Sequence, residues 1–144
     1  MIKYEVHVYP DGDKYWCFNG KYHREDGPAI EYTNGTKLWY LNGELHREDG
    51  PAVEWANGAK EWFLNGERHR EDGSAVEWHN GTKKWYLNGK LHREDGPAYE
   101  GFDGLKEWHL NGEKMTEAEF HAKQNSCEGK VVEIDGKKYR LSAV

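Results

Sequence analysis

His46-Arg47-Glu48-Asp49-Gly50-Pro51-Ala52 is written four times in this chain. His-Arg-Glu-Asp-Gly begins at His23, His46, His69 and His92, each copy 23 residues after the last. Three copies continue Pro-Ala, and the third reads Ser74-Ala75. A fixed period of this length is the mark of a repeat array, in which one supersecondary unit stacks on the next.

Outward from the turn, the second unit reads as a β-meander. Ala29-Ile30-Glu31-Tyr32 is a short strand, Asn34-Gly35 a tight turn, and Lys37-Leu38-Trp39-Tyr40-Leu41 a returning strand. A second tight turn, Asn42-Gly43, leads to Glu44-Leu45-His46. Asn-Gly between apolar runs predicts type I′ hairpins, because both residues accept positive φ. No stretch of the unit has room for a helix. Five units begin near Val6, Ala29, Ala52, Ala75 and Ala98, with Trp16, Trp39, Trp62, Trp85 and Trp108 in register.

The ends depart from the pattern. Ile2-Lys3-Tyr4-Glu5-Val6-His7-Val8 alternates, with Val6 and Val8 where later units carry Ala and Glu. At the other end Thr116-Glu117-Ala118-Glu119-Phe120 replaces the His-Arg-Glu-Asp-Gly turn. Thr116 and Glu119 form a capping box, which predicts a helix over 117–123 with Phe120 packed on the array. Lys130-Val131-Val132-Glu133-Ile134 and Lys137-Lys138-Tyr139-Arg140-Leu141 then form a hairpin through Asp135-Gly136. The expectation is an all-β, elongated array of stacked β-hairpins over residues 1–115. Residues 116–144 then form a C-terminal cap of short helix and hairpin, with a separate binding module as the lesser reading of the hairpin.

Composition bounds the function. Charged residues make up 32% of the 144 and apolar ones 36%, a balance that alone would suggest disorder. Seven Trp and nine Tyr supply the burial that short strands need. A net charge of -6 disfavours nucleic acid as partner. No apolar run is long enough to span a bilayer, and Met1 to Glu5 lacks the start of a signal peptide. Cys17 and Cys127 have no metal or disulfide spacing. A cytoplasmic protein is expected.

Trp, Asn-Gly, His and Gly at a 23-residue step resemble the MORN repeat. The His-Arg-Glu-Asp-Gly-Pro-Ala form is more similar to MORN-like proteins of tailed bacteriophages and some bacteria, which often end in an element like 115–120. The chain departs from the MORN pattern in three places. The Trp39 to Gly43 segment is one residue longer, the Gly58 to Trp62 segment is shorter, and the second glycine of the MORN pair is missing before Gly50. The resemblance covers about residues 5–124. It implies a scaffold from a viral source, and no activity.

Four near-identical His/Asp sets would make four active sites on one array, so the turn residues read as structural, with Arg paired to Glu or Asp. Zinc needs ligands converging on one point, which stacked units about 10 Å apart do not provide. No metal, cofactor or enzymatic activity is expected. Trp and the following Leu are expected to be the buried spine, with the stems of Lys14, Lys37, Lys60, Lys83 and Lys106 along the rings. Tyr40, Phe63 and Tyr86 then point to the opposite face. They are either an exposed interface or covered by Leu45 and Leu91. They are the first candidate for partner binding. The alternative is the turn edge, with His46, Arg47, His69, Arg70, His92 and Arg93. The expected partner is a host protein, with inhibition of a bacterial antiviral defence system as the specific reading. A sponge for a nucleotide-like signal and a purely structural, self-assembling element are the other readings.

Overall fold

The computed structural model describes residues 2–125 and 131–140. It is an antiparallel β-array with a short helix and a final hairpin. Twelve strands form one sheet in which the path across the sheet follows chain order. It starts with β1 (Glu5–Val8) and β2 (Lys14–Phe18). Pairs of two-residue strands follow, Ile30–Glu31 with Lys37–Leu38, Val53–Glu54 with Lys60–Glu61 and so on, to Lys106–Leu110 and Glu113–Met115.

The returning strand expected over 37–41 is divided. Lys37–Leu38 belongs to the main sheet, and Tyr40–Leu41 pairs with Glu44–Leu45 in a separate ribbon. Trp39 stands at the fork. Its N–H donates to the Ala52 carbonyl of the next unit at 2.8 Å, and its carbonyl accepts from the His46 N–H at 3.0 Å. The His-Arg-Glu-Asp-Gly turn carries the chain from the ribbon back to the main sheet. Trp62 and Trp85 make the same two bonds.

The two Asn-Gly turns of each unit differ in kind. Asn42 and Gly43 both have positive φ, at 51° and 83°, as a type I′ turn requires. At the other turn only Gly35 is positive, at 97°. There the Gly35 N–H donates to the Tyr32 carbonyl and the Tyr32 N–H to the Thr36 carbonyl. This is a type I turn closed by a glycine bulge. Asn34 serves it by accepting the Thr36 N–H on its side chain at 2.9 Å, so the expected type I′ geometry is corrected here.

The core also differs from the expected tryptophan spine. The buried apolar residues include Ala29, Ile30, Ala52, Val53, Ala75, Val76 and Ala98, two from the strand after most turns, with Ala59 at a hairpin and Met115 and Phe120 at the C-terminal end of the array. Trp16, Trp39, Trp62, Trp85 and Trp108 are half-buried, as are Leu41, Leu64 and Leu87. Strand alternation places Ile30, Val53 and Val76 on one face and Ala29, Glu31 and their equivalents on the other. On the second face the register sets Lys14, Glu31, Lys37, Glu54, Lys60, Glu77, Lys83, Glu100 and Lys106 opposite one another in turn. Cross-strand neighbours of opposite charge favour this register. The lysines thus stand between glutamates, and the tryptophan rings are covered by something else.

The helix α1 runs Glu117–Asn125. The Thr116 N–H donates to the Glu119 carboxylate at 2.9 Å, and the Glu119 N–H to the Thr116 hydroxyl at 3.2 Å. This is the expected capping box. Phe120 is 2% exposed. The hairpin Val131–Ile134 with Lys137–Arg140 forms through Asp135-Gly136, both with positive φ. Ile134 and Tyr139 on its apolar side are exposed. Ser126, Cys127, Lys130 and Leu141 lie outside the described residues.

Candidate functional site: two faces of one array

The face that carries the repeated turn is closed by arginine. The Arg70 guanidinium lies 4.0 Å from the Trp62 ring centroid. Its Nε donates to Asp72 at 2.9 Å, and its Nη1 to the Ser74 carbonyl and the Glu77 carboxylate at 3.0 and 3.2 Å. Arg24, Arg47 and Arg93 repeat the arrangement over Trp16, Trp39 and Trp85. Gly73 has no positive φ. A Cβ there would stand 3.0 Å from the Arg70 Cζ, so glycine leaves room for the guanidinium. The hydrogen bond from Arg70, with its charge adding to it, holds the Asp72 carboxyl below its ordinary value. Arg47, Arg70 and Arg93 of the turn-edge candidate are thus engaged by their own turn and by the first strand of the next unit.

The histidines tie successive units together. Nδ1 of His23, His46, His69 and His92 accepts the backbone N–H of Asn42, Asn65, Asn88 and Asn111 at 2.9–3.0 Å. An acceptor Nδ1 requires the proton on Nε2. That atom faces Glu25, Glu48, Glu71 and Glu94 at 3.5–3.7 Å. His46, His69 and His92 therefore have an architectural task. A parallel link joins the other hairpin tips. The Thr36 hydroxyl accepts the Ala56 N–H at 3.1 Å and that of Thr82 the Phe102 N–H at 3.2 Å. Ala59 occupies the equivalent place in the third unit and has no hydroxyl to offer.

Between successive turns lie open grooves. One of about 700 Å³ is lined by Trp85, Leu87, Arg70 and Arg93 and by four carboxylates, Glu71, Asp72, Glu94 and Asp95. Two equivalents lie over Trp39 and Trp62.

The opposite face is aromatic. Tyr9, Tyr15, Tyr22 and Tyr40 form a chain of ring contacts at 5.1–5.9 Å, with Tyr32 against Tyr15 at 6.0 Å. A hydrogen bond with Tyr32, together with burial, pushes the Tyr15 hydroxyl up to about 12. In the next units the rings surround an ion pair whose carboxylate is buried and whose guanidinium is part-exposed. The Glu61 carboxylate accepts from Arg68 Nε at 2.9 Å and from Trp55 Nε1 at 3.0 Å. The Arg68 guanidinium lies 5.4 Å from the Phe63 ring and 5.7 Å from the Tyr86 ring. Tyr40, Phe63 and Tyr86 are thus half-buried members of a wider surface. Its most open large rings include Tyr9, Trp55 and Trp78, the latter two 43% and 41% exposed. Sequence reasoning passed over this row, although Tyr9, Tyr32, Trp55 and Trp78 stand at the 23-residue step.

Burial, with Glu5 adding to it, pushes the Cys17 thiol up, the wrong direction for a nucleophile. Among the described residues no three His, Cys, Asp or Glu side chains gather as metal ligands. No helix among them is long and apolar enough to cross a membrane. No protein-family model matches the chain, and no curated protein matches it either.

Proposed function

We propose that this protein is a non-enzymatic binding scaffold that receives a protein partner on its aromatic face. The observation that carries this reading is the number of rings that face offers. Ring contacts run from exposed Tyr9 through Tyr15 and Tyr22 to half-buried Tyr40, the Glu61–Arg68 pair gathers Trp55, Phe63 and Tyr86, and Trp78 stands exposed at the repeat position of Trp55. A contiguous row of rigid rings is what protein interfaces use as anchors, and tryptophan and tyrosine dominate among their hot spots. The resemblance of the turn to phage MORN-like proteins supports a viral source, a host protein as partner in the bacterial cytoplasm, and inhibition of an antiviral defence system.

The sponge reading is weaker on electrostatic grounds. Each groove between turns holds two arginines already bonded to carboxylates, with further acidic side chains around them. A nucleotide phosphate would meet net negative charge there.

The test uses immobilised full-length protein and lysate of the bacterial host. A partner retained by the parent and by Glu48→Lys/Glu71→Lys, but lost by Trp55→Ala/Trp78→Ala, supports the aromatic face. Retention by the tryptophan variant and loss by the charge variant moves the site to the turn edge.

A further inference from the structure

We propose that two copies of this chain pair through the outer edge of β1, giving a dimer with one sheet running through both. The two ends of the array are unlike. At the C-terminal end α1 packs against Lys106–Leu110 and buries Phe120. At the N-terminal end β1 pairs with β2 alone among the described residues. Its side chains are all exposed, including Val6 at 48% and Val8 at 64%. Terminal repeats usually present a polar outer face, and natural edge strands are blunted by proline, charge or a bulge. This one carries valine where the inner units carry alanine and glutamate.

The backbone directions decide what the edge can accept. The Tyr9 N–H donates to the Asp13 carbonyl, and the Tyr9 carbonyl accepts the Gly12 N–H, so Tyr9 faces β2. Counting back by twos, His7 and Glu5 also face β2, opposite Tyr15 and Cys17. Val6 and Val8 therefore direct their N–H and carbonyl groups outward. Trp16, which stands opposite Val6, agrees: its N–H goes to Ala29 and its carbonyl to His23 on its far side.

An antiparallel pair of identical strands has a two-fold axis, which must pass by one residue and its copy. Placed at Val6, the axis makes Val6 and its copy exchange both hydrogen bonds. It also brings Val8 against the copy of Tyr4. The same register sets Glu5 opposite the copy of His7, twice. Placed at Glu5, the axis would oppose the two Glu5 carboxylates. Placed at His7, it would oppose the two imidazoles. Carboxylates directly opposite destabilise a pair, and two facing imidazoles gain no ionic partner, so among these three positions only Val6 sets each carboxylate against an imidazole. A second copy of this chain is thus a fitting occupant of the edge.

Sedimentation equilibrium on the full chain reads the result. The expected mass at micromolar concentration is twice the 16.8 kDa of one chain. Val6→Pro removes an outward N–H that the fold itself does not use, and edge strands tolerate proline there. Val6→Lys sets two ammonium groups across the axis. Both variants should sediment as monomers, with melting curves that show a folded array. Glu5→Lys should weaken the dimer at least tenfold, and Glu5→Lys/His7→Glu should restore it. A parent that is monomeric at 100 micromolar overturns the proposal. So does a dimer that both Val6 variants leave intact, since its contact then lies elsewhere.

Discussion

The Arg70 guanidinium lies over Trp62, 4.0 Å from the ring centroid, while its nitrogens reach Asp72 and Glu77. A half-buried ring is thereby finished by a charged plane whose own charge is answered by carboxylates. Lysine cannot reproduce this, because its ammonium is a point charge without a face to stack. Arg70→Lys should cost about 1–2 kcal/mol, the range of a partly desolvated cation–π contact, as read from urea unfolding. A loss below about 0.3 kcal/mol would mean that the stacking contributes nothing.

Trp62→Ala should cost less than removal of a fully buried ring. Full burial sets a loss of about 3–5 kcal/mol, and half-burial brings the expectation to about 2 kcal/mol. In a double-mutant cycle with Arg70→Lys, the two losses should fall short of additivity by at least about 0.5 kcal/mol.

Much of this arrangement is legible in the sequence. The 23-residue step fixed the units, the capping box fixed the start of α1, and Asp135-Gly136 fixed the last turn. The burial order was not legible. Tryptophan and leucine are the largest apolar residues of the unit, so area alone puts them inside. The structure instead buries Ala52 and Val53 and covers Trp62 with Arg70, whose reach back across eight residues is a tertiary fact that no local pattern carries. The fork at Trp39 was equally hidden, because 37–41 alternates like one unbroken strand. The aromatic candidates Tyr40, Phe63 and Tyr86 do share a face by alternation, but the ion pair of Glu61 and Arg68 beside them depends on pairing across the ribbon.

Phe63→Ala should act on folding as well as on binding. Its ring is half-buried beside Arg68, so the variant should lose about 1–2 kcal/mol of stability, roughly half the value for a buried ring. Any binding titration must therefore be compared per folded molecule. Thermal melting of this variant within a degree of the parent would place the ring outside the packed face.

Ala59→Thr should stabilise the protein. Thr36 and Thr82 occupy the same place in their units and accept a backbone N–H from the unit that follows. The new hydroxyl would stand in the same relation to the His79 N–H and should add about 0.5–1.5 kcal/mol, the net worth of one hydrogen bond. Slower amide exchange at His79 is the specific readout.

Glu107 sets an acid limb. Hydrogen bonds from His109 Nε2 at 3.1 Å and Lys114 at 3.0 Å hold its carboxyl below the ordinary 4.5. A lowered folded value means that the unfolded chain takes up the proton first. The stabilisation is therefore present above about 4.5 and disappears as pH falls through the lower folded value. Glu107→Gln should be less stable than the parent at pH 6 by less than about 1 kcal/mol, and the gap should shrink as pH falls below about 4.5. A gap that widens in acid would reverse the sign of the coupling.

The histidine links have a consequence for how long such a molecule can be. Each joins a residue to another 19 positions ahead, always by the same two atoms. A seam made by deleting or duplicating one 23-residue block would find the same atoms waiting on both sides. Length is therefore quantised: the array grows or shrinks in whole graduations, like a ruler. A partner of the proposed kind that spanned several graduations would read their spacing, and a change of one block would leave the histidine links correct while moving its two ends out of reach.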